Sequence, residues 1–147
     1  MYIVSACLAG INCRYNGGNT ENKTIKKLVQ EGKAIPVCPE VLGGLDIPRE
    51  PCEIINDKNG DRRVINSEGN DVTEEFTRGA EKTLEIARII NASIAILQSR
   101  SPSCGYKSIY DGTFDGNLIK GNGITADLLE KNTITIYTEE DIEKIDI

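Results

Sequence analysis

Short apolar runs alternate along this chain with segments of helical periodicity, and that alternation most restricts what it can fold into. Tyr2 to Ala6, Ala34 to Cys38, Ile94 to Gln98 and Thr133 to Tyr137 read as strands. Thr24 to Glu31 reads as a helix stopped by Gly32, with Ile25, Leu28 and Val29 facing inward. Thr73 is placed to cap a long helix reaching about Ile90, in which Phe76, Ala80, Leu84, Ala87 and Ile90 recur at spacings of three and four. Gly123 opens a helix over Ile124 to Glu130, and Glu139 to Lys144 forms a short terminal one. Strands separated by helices return to the same sheet edge through right-handed crossovers, so the sheet is mainly parallel. The expected fold is a three-layer, Rossmann-like α/β domain occupying residues 1–147. It carries a small β-hairpin insertion, Glu53 to Asn56 with Arg63 to Asn66, turning at Asn59-Gly60.

Three of these runs end near a cysteine: Cys7 after the first, Cys38 closing the second, Cys104 shortly after the third. Each thiol enters a turn built with Gly or Pro, and carboxyl ends of parallel strands share the edge where open α/β sheets hold ligands. Convergence of three thiols at one point is therefore expected. Cys13 and Cys52 follow no strand and read as small packing residues.

The chain has no histidine, which removes both imidazole ligands and imidazole bases. There is also no Cys-x-x-Cys pair, so a structural zinc site is disfavoured. Thiols scattered over separate strand ends suit an iron-sulfur cluster, which accepts thiolates from several directions and, with three of them, keeps one iron open. Two other classes fit the same residues: a non-catalytic cluster or metal carrier, and a thiol enzyme whose nucleophile is activated by a helix N-terminus or a lysine. The glycines between Gly105 and Gly123 do not form a strand-GxGxxG-helix pattern, which excludes a dinucleotide fingerprint; a hairpin lining a pocket accounts for them.

A net charge of −6 repels a phosphate backbone, so nucleic acid is a poor partner. No stretch approaches the ~20 apolar residues of a membrane span, and no signal-peptide pattern precedes Leu8. A cytoplasmic protein with reduced thiols is expected. No feature specifies an oligomeric state.

Taken together in chain order, the motifs resemble those of the thiouracil desulfurase (TudS) domain family, long carried as a bacterial domain of unknown function. The likeness lies in Val4-Ser5-Ala6-Cys7-Leu8, Cys13-Arg14-Tyr15-Asn16-Gly17, Val37-Cys38-Pro39-Glu40-Val41, Gly43-Gly44-Leu45 with Ile47-Pro48-Arg49, and Asp71-Val72-Thr73. It continues in Arg100-Ser101-Pro102-Ser103-Cys104-Gly105, Tyr110-Asp111-Gly112 and Gly121-Asn122-Gly123, and so spans nearly the whole chain.

What the resemblance implies is a 4Fe-4S cluster held by three cysteines and used, without net redox change, to remove sulfur from thiolated uracils. Cys7, Cys38 and Cys104 stand at the matching ligand positions, while Cys13 and Cys52 match positions that are often apolar or small. On this reading Glu40 deprotonates a water or passes a proton on, and Ser101 orients substrate or relays a proton, with Ser103 the competing serine. Arg49 and Lys107 are supports for a polar substrate or for the cluster's negative charge, or equally surface ion-pair residues; Tyr15 and Tyr110 stack on a pyrimidine or cover the core rim. Asn16 and Gln98 depart from the usual Asp and Lys of the pattern. Larger relatives carry a second domain suited to transfer RNA; without it, a small thiolated pyrimidine, as free base or nucleoside, is the expected substrate.

Overall fold

The computed structural model describes all residues from Met1 to Ile147. Four strands, β1 (Tyr2–Ser5), β2 (Ala34–Val37), β5 (Ile94–Leu97) and β8 (Thr135–Thr138), form one parallel sheet in the order β2-β1-β5-β8. Its register pairs Ile3 with both Ile35 and Ala95, and Ile96 with Tyr137. The period-two alternation of a strand sends neighbouring side chains to opposite faces. Ile3, Ala95, Leu97 and Ile136 accordingly pack with Leu84 and Ala87 of α3 (Thr73–Ile89) and Leu129 of α4 (Ile124–Lys131). Val4 and Ile96 pack on the other face with Ile25 and Leu28 of α1 (Lys23–Gln30). Helices on both faces make the three-layer α/β arrangement expected from the sequence.

The hairpin β3 (Cys52–Asn56) with β4 (Arg62–Asn66) is also present, in antiparallel register. Asp57 Oδ1 accepts from the amides of Asn59 and Asp61 and holds its turn. A second hairpin, β6 (Ser108–Tyr110) with β7 (Leu118–Lys120), fills the glycine-rich stretch before α4. Both lean on a small third core of Ile54, Val64, Phe76 and Ile109. No helix is long and apolar enough to cross a membrane.

Two local expectations change. Thr73 is inside α3 rather than capping it: Asp71 Oδ1 accepts the Thr73 amide, and the Thr73 hydroxyl accepts from Val64 N, tying the helix start to β4. The turn expected after Cys38 holds a one-turn helix, α2 (Pro39–Leu42), with Pro39 at its first position. This turn lies against α3 so closely that a β-carbon on Gly43 would stand 1.9 Å from Glu75 O, and one on Gly79 1.8 Å from Pro39 O. Only glycine permits that approach.

The candidate desulfuration site

In this sheet β1 connects outward to β2 while β5 connects the other way to β8, so the strand order reverses between β1 and β5. Ligands of open α/β sheets bind beyond the strand ends at such a reversal. A cavity of about 460 Å³ opens there, lined by all five cysteines together with Glu40 and Ser103. That volume falls in the range of small-molecule sites.

Each thiol arrives by a different device. Cys7 is buried in the 3-10 turn Ala6–Ala9 that follows β1, and its Sγ donates to Gln98 Oε1 at 3.4 Å. Gln98 is fixed in turn: its amide donates to Ser5 Oγ at 2.9 Å, and the Thr20 hydroxyl donates to its side-chain oxygen. Cys38 is the residue before α2, with its Sγ 3.7 Å from Cys13 O. Cys104 rides on the Ser101-to-Gly105 turn, where its amide donates to Ser101 Oγ at 2.7 Å. That turn is docked on α4, whose first amides at Ile124 and Thr125 donate to Pro102 O and Ser103 O at 2.9 and 2.8 Å. A β-carbon on Gly123 would stand 2.5 Å from the Ser103 carbonyl carbon, so the docking requires a glycine there.

The thiols differ in their readiness to ionise. Cys7 lies below the ordinary thiol range, and Cys38 is pulled down to about 7, in both cases chiefly by a hydrogen bond from the Cys13 thiol. Cys13 is pushed up by its neighbours Cys38 and Cys7 and by burial. Burial raises Cys104 and Cys52 each to about 12. All five are free thiols.

No set of three or more Cys, Asp or Glu side chains is arranged to grip a single metal ion. Cys7, Cys38 and Cys104 instead stand around one cavity on three separate elements, with no histidine or disulfide competing for them. A soft, all-thiol donor set spread around a hollow fits a polynuclear iron-sulfur group better than one ion.

On the acid-base side, Glu40 projects from α2 into the cavity with both oxygens engaged. Oε1 accepts from Arg49 Nε at 3.1 Å and Oε2 from Ser103 Oγ at 3.0 Å. The Glu40–Arg49 pair is largely removed from solvent, the side chains being 15% and 9% exposed. Arg49 also donates to Cys13 O at 3.0 Å and Asp46 O at 3.0 Å, and its own amide to Tyr15 O at 2.8 Å. It is the knot joining the Cys13 segment to α2. Sequence reasoning gave Arg49 no more weight than a surface ion pair, because its partner lies nine positions away with no helical register linking the two.

Ser101 and Ser103 divide their work. The Ser101 oxygen accepts the Cys104 amide, the local turn role, while its hydroxyl lies 3.4 Å from that of Ser103, which alone reaches Glu40. Tyr15 and Tyr110 line the cavity, but Lys107 does not; its ammonium sits 5.3 Å above the Tyr106 ring. Asn16 also stays outside, accepting from Gly18 N at 2.9 Å to close a local turn. Glu53 on β3 was not singled out in the sequence, yet it lines the cavity and its Oε1 accepts from the amides of Gly112 and Phe114 at 2.9 and 3.1 Å. Glu139 is another addition, holding both the amide and the hydroxyl of Ser99 at 2.7 and 2.6 Å.

With this geometry in place, comparison with known proteins is informative. A family model for 2-thiouracil desulfurase matches residues 2–141. An uncharacterised protein of Bacillus subtilis (strain 168), YbbK, is 47% identical over 150 residues, covering 99% of each chain. A solved structure described as 4Fe-4S-dependent thiouracil desulfidase TudS is 39% identical, with a TM-score of 0.88 over 97% of this chain and 93% of that one. A match this long, in sequence and in fold, places the chain in the 2-thiouracil desulfurase family.

Proposed function

We propose that this chain converts a thiolated pyrimidine to its oxygen counterpart, with a 4Fe-4S cluster held by the thiolates of Cys7, Cys38 and Cys104. The supporting observation is the meeting of these three thiols and the Glu40–Ser103 pair in one cavity at the strand-order reversal. When bound, the cluster supplies an open, Lewis-acidic iron that takes up soft sulfur and makes the adjoining carbon electrophilic. The overall change replaces C=S by C=O, consuming one water and releasing one hydrogen sulfide, so no electrons enter or leave.

Glu40 is the base for that water. Arg49 aims the carboxylate through one oxygen and Ser103 fixes the other, so the carboxylate takes a proton with little reorientation. Ser101 accepts the Cys104 amide with one lone pair, and its own O–H is free to donate to Ser103 or to substrate. The series Ser101, Ser103, Glu40 thus offers a directed route for a proton from the substrate's side to the carboxylate. Tyr15 and Tyr110 line the cavity, where an aromatic face holds a flat pyrimidine.

Anaerobic reconstitution with iron and sulfide, followed by incubation with 2-thiouracil and with 4-thiouridine, tests the reading. The expected result is brown protein carrying about four irons, and uracil or uridine appearing with an equal amount of sulfide. Cluster-loaded protein that releases no sulfide from any thiolated pyrimidine, while handing iron rapidly to an acceptor, establishes a carrier instead.

A further inference from the structure

Glu53 is the one carboxylate lining the cavity besides Glu40, and the desulfuration chemistry makes no use of it. It is 9% exposed, and no arginine or lysine stands within ion-pair distance: Arg49 goes to Glu40 and Arg100 to Glu140. Its two oxygens are treated unequally. Oε1 accepts from the amides of Gly112 and Phe114 at 2.9 and 3.1 Å, while Oε2 has no donor in the protein. The amide side is set by backbone packing, since a β-carbon on Gly112 would stand 2.8 Å from Ile54 O of β3. Thr125 Oγ1 is the only wholly enclosed side-chain oxygen or nitrogen without a partner, so Glu53 Oε2 keeps contact with open space, and its side chain lines the cavity. A carboxylate this deep is normally paired or fully hydrogen-bonded, which leaves Oε2 suited to a donor brought in by a ligand.

We propose that Glu53 is a specificity-determining residue whose Oε2 accepts the ring N–H beside the thiocarbonyl carbon of the substrate. This rests on the desulfurase reading above. Strand β6, which carries Tyr110, lies against β3, and Tyr110 lines the same cavity as Glu53. A flat ring held against Tyr110 presents its edge to the groups around it. N3–H is the ring donor that 2-thiouracil, 4-thiouracil and their nucleosides share, and in each it adjoins the C=S carbon; in 2-thiouracil N1–H adjoins it as well. An ionised acceptor strengthens such a bond. The same oxygen repels a ring nitrogen that carries a lone pair, as N3 of a thiolated cytosine does, because two acceptors then face each other. Glu53 thereby selects the thione form, with hydrogen on nitrogen, over the thiol form, and uracil-type rings over cytosine-type ones.

Glu53→Gln tests this in the reconstituted holoprotein, because Gln keeps an oxygen for the two hairpin amides and places an NH2 where Oε2 stood. 2-Thiouracil, 4-thiouracil and their nucleosides are each compared with the form methylated at every N–H flanking C=S, and proteolytic cutting between residues 111 and 117 reports on the hairpin. The parent should prefer the hydrogen-bearing form in kcat/KM. The variant should lose roughly five- to tenfold of that preference, mainly as a higher KM for the hydrogen-bearing form, with cutting at the parent's rate. A preference equal in parent and variant overturns the proposal, since the methyl group is then excluded by its size alone. A KM that rises equally for both forms, with faster cutting, overturns it too, because Glu53 then acts only by holding the hairpin. Loss confined to the nucleosides makes the residue a ribose contact and overturns it likewise. A parent that releases sulfide from none of these compounds removes the desulfurase reading itself, a result distinct from the others.

Discussion

On the sheet side of the cavity, the thiols extend from strands whose central residues, Ile3, Val4, Ile96 and Leu97, are wholly buried. On the opposite side the β6–β7 hairpin leaves Phe114, Leu118 and Ile119 between 38% and 46% exposed, and it is fastened to the body by Ile109 in the third core and by Glu53. One wall is set by the cores of two packed layers, the other by a single buried side chain, Ile109, and a few hydrogen bonds. Regions with little buried apolar contact open at low free energy, so the hairpin wall is the one able to yield as substrate enters. Groups that must keep their distances are on the stiff wall, and groups that meet a varying ring are on the soft one.

The largest effect expected from breaking this contrast is at a thiol of the stiff wall. Cys104→Ala removes one of the three proposed ligands, and neither Glu40 nor Ser103 supplies a replacement sulfur; iron content after reconstitution should collapse, and sulfide release with it. Full iron in this variant refutes the three-thiol assignment. Glu40→Gln should keep the cluster absorbance and lose turnover by roughly 10²–10⁴-fold, the range for removal of a general base. Ser103→Ala should cost less than Glu40→Gln, since it removes an aim on the carboxylate rather than the proton acceptor. The reverse order in kcat makes the serine the principal group.

Much of the stiff wall was legible in the sequence, because a parallel sheet writes itself as apolar runs separated by amphipathic helices, and each run announces its own end. The soft wall was legible as a hairpin lining a pocket, from the glycines between 105 and 123, but the way it is fastened was not. Part of its attachment is a carboxylate reaching two backbone amides about sixty positions away, for which no local pattern exists. Three features of the site stayed hidden for related reasons. One turn of helix at Pro39–Leu42 is too short to show a period. Which of Ser101 and Ser103 meets Glu40 depends on the direction the chain takes through one turn. The place of Cys13 beside two other thiols depends on how its loop folds back over the sheet edge.

The close contact of α2 with α3 separates geometry from chemistry on the stiff wall. Gly79→Ala introduces a methyl that would lie 1.8 Å from Pro39 O, so α2 must move away from α3 and carry Glu40 and Cys38 with it. Overpacking of this kind costs about 1–3 kcal/mol. Denaturant unfolding should show that loss, and activity should fall further than stability accounts for at temperatures where the variant remains folded. A variant as stable as the parent shows that the backbones separate without strain.

The soft wall should respond in a different measurement and by less. Glu53→Ala leaves the amides of Gly112 and Phe114 without their carboxylate, and water replaces it readily at Phe114, which is 38% exposed. A net loss of about 1 kcal/mol is expected for such partly solvated bonds, equivalent to roughly a fivefold weakening of whatever depends on the hairpin's closed position. That loss should appear as a higher KM with kcat and cluster absorbance nearly unchanged, and as faster proteolytic cutting between residues 111 and 117. If kcat falls instead while KM holds, Glu53 belongs with the acid-base groups, and the division between a stiff catalytic wall and a soft recognition wall is wrong at that residue. If neither constant moves but proteolysis does, the hairpin is fastened by Glu53 without contributing to recognition, and Tyr15 on the other rim becomes the group to test.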